Sequence, residues 1–187
     1  MTTTFTRMTA EQYFAASTEG DRRQLVDGVM VVNEPGVRHA MAQMVLLTTL
    51  GIWTRGGEGR GAALPPVDVQ MTDRDVYGPD VVWFREGRVP PDRDAAPPHI
   101  PDLAAEVRSP GTWRHDVGRK KSVYENHGLP ELWLVDTAAK VVLVYRRAAP
   151  GSVVFDVELE LGPGALLTSP LLPGFSLDLI ELFGPPG

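Results

Sequence analysis

The stretch at residues 101–136, PDLAAEVRSPGTWRHDVGRKKSVYENHGLPELWLVD, constrains the fold of this chain more than any other. It predicts an apolar strand that carries one acid, a short polar loop, a helix with a basic start and a second apolar strand. The acid is Glu106, which stands inside a run of Leu, Ala and Val. A lone charge buried in such a run costs several kcal/mol unless something compensates it. We therefore expect a metal ion or a nearby lysine to face Glu106.

A second acid precedes another apolar strand. Residues 78–84, GPDVVWF, predict a turn followed by a strand, with Asp80 at the point where the strand begins. Two carboxylates on separate strands, each near a loop, suit Mg²⁺, which binds oxygen ligands and keeps several waters. Lys120 lies on the predicted helix after the polar loop, and Tyr124 follows at i+4 on the same helix face. A cation held by Asp80 and Glu106, with an ammonium group nearby, is suited to hydrolysing phosphodiesters.

The order of these motifs resembles a known family. The segments PD, EVRSP, D-x-x-x-K-x-x-x-Y and GLPELWLVD are similar to the Uma-type "putative restriction endonuclease" family, a bacterial branch of the PD-(D/E)XK nuclease superfamily. The likeness extends from LVDGVMV near the start to LPGFSLDLIELF near the end. It implies that Asp80 is the first aspartate of the motif, Glu106 its second acid and Lys120 its helix lysine. It also implies Mg²⁺ or Mn²⁺ as the cofactor, DNA as the substrate and a possible homodimer.

Three features depart from the simplest pattern of the superfamily. Arg108 stands two residues after the second acid, where that pattern has a lysine; an arginine can hold a phosphate but stays protonated, so it cannot act as a base. Lys121, next to Lys120, leaves the register of the helix lysine open. Gln24, in RQLVDG, stands where relatives often have a glutamate, and its amide oxygen can coordinate a metal without bringing charge. Arg108 and Lys121 are therefore predicted to bind substrate, and Gln24 to complete the metal shell.

Several further residues are candidates for the same site. His39 falls in the first turn of a predicted long helix and is a candidate substrate or metal neighbour, although a structural or surface role is favoured. Tyr124 can bind a phosphate, position Lys120 or pack in the core, and the sequence leaves these alternatives open. Asp68, in the alternating stretch VDVQM, can approach the metal, but the alternation favours a solvent-facing position. Asp116 is predicted to cap or begin the helix that carries Lys120.

The composition is that of an ordinary globular protein, with 43% hydrophobic and 22% charged residues. A chain of 187 residues favours one domain over residues 1–187. The net charge is −6, but residues 85–121 carry eight basic and six acidic residues, which suits phosphate binding there and is equally compatible with a solvated helix start. The absence of cysteine excludes disulfides and cysteine-ligated zinc. No apolar run approaches the roughly 18 residues of a membrane span, so we expect a cytoplasmic protein.

The remaining patterns predict alternating helices and strands. Thr9 and Gln12 form a capping signal for a helix that ends at residue 16. Asp27-Gly28 predicts a hairpin turn. We expect the longest helix at 37–53, further strands at 62–71 (interrupted by two prolines), 131–136, 141–145 and 153–161, and a last helical turn at 177–183. Together these patterns and the family resemblance predict an α/β fold with a restriction-endonuclease-like central mixed β-sheet flanked by helices and an antiparallel C-terminal β extension.

Three functions are compatible with these residues. The first is a Mg²⁺-dependent endonuclease that hydrolyses DNA, in which the two acids bind the metal and Lys120 orients or activates water. The second is a catalytically weak or inactive nuclease-fold module that binds nucleic acid or protein, which Arg108 and Gln24 favour. The third is a structural dimer subunit in which the acids only pair with Arg114 or Lys121.

Overall fold

The structure, a computed structural model, describes residues 7–18, 23–92 and 95–184. The helices in these ranges are α1 (Ala10–Ala16), α2 (Val37–Arg55), α3 (Trp113–His115), α4 (Lys121–Asn126) and α5 (Leu179–Phe183), and a π-helical turn (Asp116–Lys120) joins α3 to α4. The strands are β1 (Arg23–Val26), β2 (Val29–Val32), β3 (Ala62–Leu64), β4 (Val69–Thr72), β5 (Asp75–Tyr77), β6 (Val81–Phe84), β7 (Leu103–Val107), β8 (Glu131–Asp136), β9 (Val141–Arg146), β10 (Val157–Leu161), β11 (Leu166–Leu167) and β12 (Leu177–Asp178). Within these ranges, no helix is both long enough and apolar enough to cross a membrane.

The central sheet has six strands in the order β10-β9-β8-β7-β6-β3. Strands β7 and β8 are parallel, because the helical segment from α3 to α4 carries the chain back between them, while the other neighbours are antiparallel. Every residue of β7 and of β8 is buried, as expected for strands that are covered on both faces. The prediction of a mixed central sheet flanked by helices is confirmed, and the C-terminal strands β9 and β10 extend this sheet antiparallel.

A second, four-stranded antiparallel sheet has the order β2-β1-β5-β4 and was not predicted as a separate layer. The predicted strand at residues 62–71 is in fact two strands, β3 in the central sheet and β4 in this second sheet. Pro65 and Pro66 lie between them. Proline has no N–H to donate to a sheet ladder, so the chain leaves one sheet at this point and joins the other.

The structures predicted from local sequence signals near the N-terminus are present. Thr9 caps α1, and its side chain and that of Gln12 exchange hydrogen bonds with each other's backbone N–H. Asp27 and Gly28 have φ angles of 52° and 73°, so both turn residues of the β1-β2 hairpin are left-handed, as a tight two-residue turn requires. Helix α2 begins at the predicted residue and ends two residues later than expected, at Arg55.

The two faces of the central sheet pack against different layers. Helix α2 packs through buried side chains such as Leu46 on one face, where it meets Ala105 and Trp133. The other face carries Ala104 and Leu132, and it packs against the helical segment α3-α4 and against the second sheet. Because side chains alternate along a strand, Glu106 points to this second face, between the central sheet and the helix that carries Lys120.

The C-terminal strand β10 begins at Val157, later than the predicted start at residue 153. The reason is a side-chain-stabilised loop. The carboxylate of Asp156 accepts hydrogen bonds from the backbone N–H of Ala148 and the hydroxyl of Ser152, which holds residues 148–156 in a turn rather than in a strand. The predicted helical turn near the C-terminus is confirmed as α5, preceded by the short strand β12.

Candidate active site

Three residues that are distant in the sequence meet at the carboxyl end of β7. The Nζ atom of Lys120, in the π-helical turn, lies 2.6 Å from Oε1 of Glu106. In the register of β6 and β7, Val81 faces Ala105, so Asp80 comes opposite Glu106 when the register continues by one residue. The backbone N–H of Val107 donates a hydrogen bond of 2.7 Å to Oδ2 of Asp80, which fixes this carboxylate beside β7. Asp80, Glu106 and Lys120 are each only 2–3% exposed.

The ammonium group of Lys120 has a complete set of oxygen neighbours. It donates a hydrogen bond of 3.0 Å to Oε1 of Gln24, and it lies 3.0 Å from Oδ1 of Asp116 in addition to its contact with Glu106. The ring of Tyr77 lies below it at 5.3 Å. An ammonium group has three protons to donate, so these three oxygens can satisfy it. Lys120 is thus held at one point between the two sheets.

Asp116, which the sequence predicts to cap or begin the helix, begins the π-helical turn and belongs to this cluster. The helical segment starts earlier, at Trp113, and Asp116 is the first residue of the π-helical turn that ends at Lys120. Its carboxylate is 2% exposed and pairs with Lys120 one turn away. Single π-helical turns inside α-helices are often found at functional sites, where they redirect side chains. Here the turn directs an acid and a lysine to the same buried point.

Asp80 is held on its other side by His39, which is buried and not at the surface. The Nε2 atom of His39 lies 3.0 Å from Oδ1 of Asp80, and its Nδ1 atom lies 3.1 Å from Oγ of Ser109. Burial lowers the pKa of His39, but the hydrogen bond and the charge of Asp80 outweigh it and raise the pKa above its usual value. The row of Ser109, His39 and Asp80 has the order of a hydrolase triad, yet Ser109 is only 1% exposed and does not line the adjacent cleft. We assign His39 the role of orienting Asp80.

The cluster contains more negative than positive groups. Burial raises the pKa of Glu106 to about 8; Lys120 opposes this rise, while the charges of Asp116 and Asp80 add to it. Burial alone would lower the pKa of Lys120, but Asp116 and Glu106 raise it above its usual value, so the ammonium keeps its proton. Both directions have one cause. Three carboxylates are buried close together, so Asp116 and Asp80 add to the rise in the pKa of Glu106, and Asp116 and Glu106 raise the pKa of Lys120.

The hydroxyl of Tyr124 also points to Glu106. It donates a hydrogen bond of 2.8 Å to Oε1 of Glu106, and the side chain is fully buried. Burial and the charge of Glu106 raise the pKa of Tyr124 well above its usual value, so the phenol stays a donor. Tyr124 therefore positions the acid from the core side and does not reach the surface.

The cluster fits a hard divalent cation. Asp80 and Glu106 are oxygen ligands, and a divalent ion would neutralise the surplus negative charge. Among the described residues, no group of three or more His, Cys, Asp and Glu side chains is arranged to hold a metal. A coordination shell of two carboxylates, completed by water molecules, matches the way in which proteins usually bind Mg²⁺. The amide oxygen of Gln24 faces Lys120 here, so a role of Gln24 as a further ligand stays a prediction that requires the amide to turn.

Two of the predicted substrate-binding residues lie outside the cluster. Nη1 of Arg108 donates hydrogen bonds of 2.9 Å and 2.7 Å to the two carboxylate oxygens of Asp136, and the side chain is 36% exposed. Lys121 points to the other side of its helix, where Nζ lies 4.3 Å from the ring centre of Tyr145 and 3.7 Å from Glu158. The structure therefore brings Lys120, and not its neighbour, to the acids, which resolves the register that the sequence left open.

A cleft of about 680 Å³ reaches Asp80 from the surface. It lies between the β1-β2 hairpin, α2 and the loop that contains Pro65 and Pro66, and Gln24 and His39 also line it. Glu106 and Lys120 lie behind Asp80 and do not line the cleft. Asp68 lines it too, with its Oδ2 accepting a hydrogen bond of 3.0 Å from the hydroxyl of Tyr13, so the favoured solvent-facing position is only partly correct.

An ion pair between the partly exposed Arg119 and the buried Asp75 anchors the π-helical turn to the second sheet. Arg119 donates hydrogen bonds of 3.0 Å and 2.9 Å to the two oxygens of Asp75 in β5. The same carboxylate, 1% exposed, accepts from the backbone N–H of Asp27, from Thr72 and from Tyr77. Burial would raise the pKa of Asp75, but these donors, Arg119 first, lower it to about 2. The residue that precedes Lys120 is thereby fixed, and Lys120 with it.

This ion pair predicts a loss of stability in acid. The folded-state pKa of Asp75 lies below the usual value of 3.8, so its contribution is fully present above about pH 4 and is lost as the pH falls to about 2. A shift of this size corresponds to about 2 kcal/mol. In urea unfolding at pH values from 6 to about 2, Asp75→Asn should be less stable than the wild type at neutral pH and should lose less stability on acidification. The exposed acid Glu160 provides the control, because Glu160→Gln should follow the wild type. Parallel curves for Asp75→Asn and the wild type would contradict the assignment.

Comparisons with known proteins agree with the fold. The sequence model of the Uma2 family, described as "Putative restriction endonuclease", matches residues 10–179. The fold is similar to that in a crystal structure described as "a putative nuclease belonging to DUF820" from Anabaena variabilis ATCC 29413, with a TM-score of 0.77 and 19% sequence identity over 94% of this chain and 97% of that chain. At this identity the likeness shows a shared fold. A search of curated proteins gave no match.

Proposed function

Because the chain belongs to the Uma2 family of "Putative restriction endonuclease" proteins, we propose that it is a metal-dependent nuclease that hydrolyses phosphodiester bonds in DNA. The observation that carries this proposal is the meeting of Asp80, Glu106 and Lys120 at one buried point beside a cleft, with Nζ of Lys120 2.6 Å from Glu106. Two acids and a lysine in this arrangement are the groups that metal-assisted phosphodiester hydrolysis needs.

In this proposal, Asp80 and Glu106 hold Mg²⁺ or Mn²⁺, and Gln24 is a further candidate ligand. The bound metal would lower the pKa of a water ligand and neutralise charge on the phosphate. His39 holds one oxygen of Asp80 at 3.0 Å, and Tyr124 holds Glu106 at 2.8 Å, so both acids are oriented before any ligand arrives.

Lys120 acts as a cation and not as a base. Its pKa is raised by Asp116 and Glu106, so it has no free electron pair at neutral pH with which to accept a proton. When it gives up one of its three oxygen neighbours, it can donate a hydrogen bond to the attacking water or to a charged phosphate oxygen. Arg108, at the end of β7 and partly exposed, is a candidate for a second phosphate contact if it exchanges its partner Asp136.

A cleavage assay tests the proposal. Purified protein is incubated with supercoiled plasmid and with single-stranded DNA in Mn²⁺ or Mg²⁺, and in parallel with an excess of a chelator. We expect cleavage with metal and none with chelator, because the acids lose the ion that they hold. Cleavage that persists in the chelator would contradict metal dependence. DNA binding without turnover under any metal would instead favour the catalytically inactive binding module.

A further inference from the structure

The lysine of the cluster and the proposed cation need the same acid. Oε1 of Glu106 lies 2.6 Å from Nζ of Lys120, and it also accepts a hydrogen bond of 2.8 Å from the hydroxyl of Tyr124. A carboxylate that ligates a divalent cation has less charge to share with an ammonium group, and the two cations repel each other. Lys120 therefore needs a second carboxylate if it is to stay at the site when Glu106 binds a metal.

Asp116 can supply that second carboxylate. Its Oδ1 atom is buried and lies 3.0 Å from Nζ of Lys120. Among the residues that the structure describes, none gives this oxygen a well-aligned hydrogen bond, so it has an acceptor position to spare. The N–H group of Lys120 that leaves Glu106 can therefore be taken up by Asp116.

The backbone holds Asp116 and Lys120 together independently of Glu106. They are the first and last residues of the π-helical turn, and the backbone N–H of Lys121 donates to the carbonyl of Asp116. Glu106, in contrast, belongs to β7 in the central sheet. The amide oxygen of Gln24, 3.0 Å from Nζ of Lys120, adds a contact from the second sheet. A change in the contacts of Glu106 therefore leaves two of the three oxygen neighbours of Lys120 in place.

Asp116 can act on the reaction only through Lys120. It is 2% exposed, and it does not line the cleft that reaches Asp80. A substrate that enters this cleft therefore meets Asp80 and not Asp116. The contact of Asp116 with the ammonium group is the route by which its charge can influence the site.

We propose that Asp116 is a positioning residue that keeps the ammonium group of Lys120 at the site while Glu106 binds the cation. This inference rests on the proposed function, and it adds a step in which Lys120 exchanges its contact with Glu106 for a hydrogen bond to Asp116. Two N–H groups of Lys120 are then held by Asp116 and Gln24. The third is free to meet an attacking water or a phosphate oxygen.

Nuclear magnetic resonance of the lysine side chains measures this contact without turnover. The chain has three lysines, Lys120, Lys121 and Lys140, so isotope-labelled lysine gives at most three ammonium signals. Lys120 is 2% exposed, whereas Lys121 and Lys140 are partly exposed. Groups that are buried and hydrogen-bonded exchange their protons slowly with water. Lys120 should therefore give the slowly exchanging signal, and the loss of this signal in Lys120→Met assigns it.

Variants without metal test whether Asp116 holds the ammonium group. Glu106→Gln removes the charge that a bound cation would engage, and Lys120 should still exchange slowly because Asp116 holds it. Adding Asp116→Asn should speed the exchange at least about tenfold, because a hydrogen bond to a charged group is worth about that factor. Adding Asp68→Asn instead should not, since Asp68 accepts from Tyr13. Fast exchange in Glu106→Gln alone, or slow exchange in Glu106→Gln with Asp116→Asn, would overturn the inference.

The single variant Asp116→Asn keeps the pair of Lys120 and Glu106, so it serves if the double variant does not fold. Melting temperatures show which variants are folded. With Mg²⁺ added, the slow signal should persist in the wild type and be lost in Asp116→Asn. In DNA cleavage, Asp116→Asn should lower kcat about tenfold and leave KM unchanged, because Asp116 does not line the cleft. A slow signal in Asp116→Asn with Mg²⁺, or a raised KM at unchanged kcat, would contradict the positioning role.

The outcomes separate this inference from the nuclease proposal. If the exchange of Lys120 depends on Asp116 in the metal-free variants but no metal supports cleavage, Asp116 holds the ammonium group and the nuclease proposal is overturned. If metal-dependent cleavage is found and Lys120 exchanges slowly without Asp116, the nuclease proposal stands and the inference is overturned.

Discussion

Replacing Asp80 with asparagine should lower metal-dependent DNA cleavage by about 10³-fold, the size of effect seen when one group that stabilises a transition state is removed. The carboxamide keeps one oxygen to accept the hydrogen bond from Val107, so the start of β6 stays attached to β7. It has no negative charge to share with Glu106 in holding a cation, although its side chain can still contact Nε2 of His39. The initial rate of plasmid nicking at saturating Mn²⁺ measures the effect, and circular dichroism and thermal melting show whether the fold survives.

The matched control is Asp68→Asn. Asp68 lines the same cleft, but its carboxylate accepts from Tyr13, and it does not lie opposite Glu106. This variant should cleave at a rate close to that of the wild type. If Asp68→Asn were as inactive as Asp80→Asn, the metal would have to sit farther out in the cleft. If Asp80→Asn stayed fully active, the site described here would not be the catalytic one.

The sequence was sufficient to predict that Asp80, Glu106 and Lys120 lie together, because their positions follow from local patterns. Asp80 and Glu106 could be paired because one acid stands where an apolar strand begins and the other lies inside an apolar strand, and a charge inside a buried strand needs a partner. Lys120 was identified from its position on the helix that follows. The hairpin turn at Asp27-Gly28 was predicted for an equally local reason, since both positions require left-handed backbone.

The rest of the site depends on contacts that no local pattern reveals. The pairing of Arg119 with Asp75 spans 44 residues and exists only because the second sheet packs beside the helix. Asp116 was expected to cap a helix, since an acid early in a helix usually does. The spacing of four residues between Asp116 and Lys120 was the available signal, because residues at i and i+4 meet on one helix face. The second sheet itself was missed because two prolines were interpreted as an interruption of one strand and not as a change of sheet.

The second large effect should come from Lys120→Met, which should abolish cleavage and also destabilise the fold. Methionine fills a similar volume but leaves Glu106 and Asp116 buried without their ammonium partner. Breaking a buried pair in this way costs about 3–5 kcal/mol of the free energy of unfolding. Burial raises the pKa of Glu106 even with Lys120 in place, so in the variant the uptake of a proton by Glu106 relieves part of this cost. Urea unfolding at neutral pH gives the stability, and the plasmid assay gives the activity.

Lys121→Met is the natural control, because the neighbouring lysine contacts the ring of Tyr145 on the other side of the helix and touches neither acid. It should change stability by no more than about 0.5 kcal/mol and should leave cleavage intact. Adding Glu106→Gln to Lys120→Met should recover part of the lost stability, because the double variant no longer buries that carboxylate, although it cannot recover activity. A Lys120→Met protein as stable and as active as the Lys121→Met control would show that the ammonium group neither supports the buried acids nor takes part in the reaction. If the double variant recovers stability but not activity, the two roles of Lys120 are separate. Removing the charge of Glu106 makes the structural role of Lys120 unnecessary, because that role is to compensate this charge. It does not replace the ammonium group in the reaction.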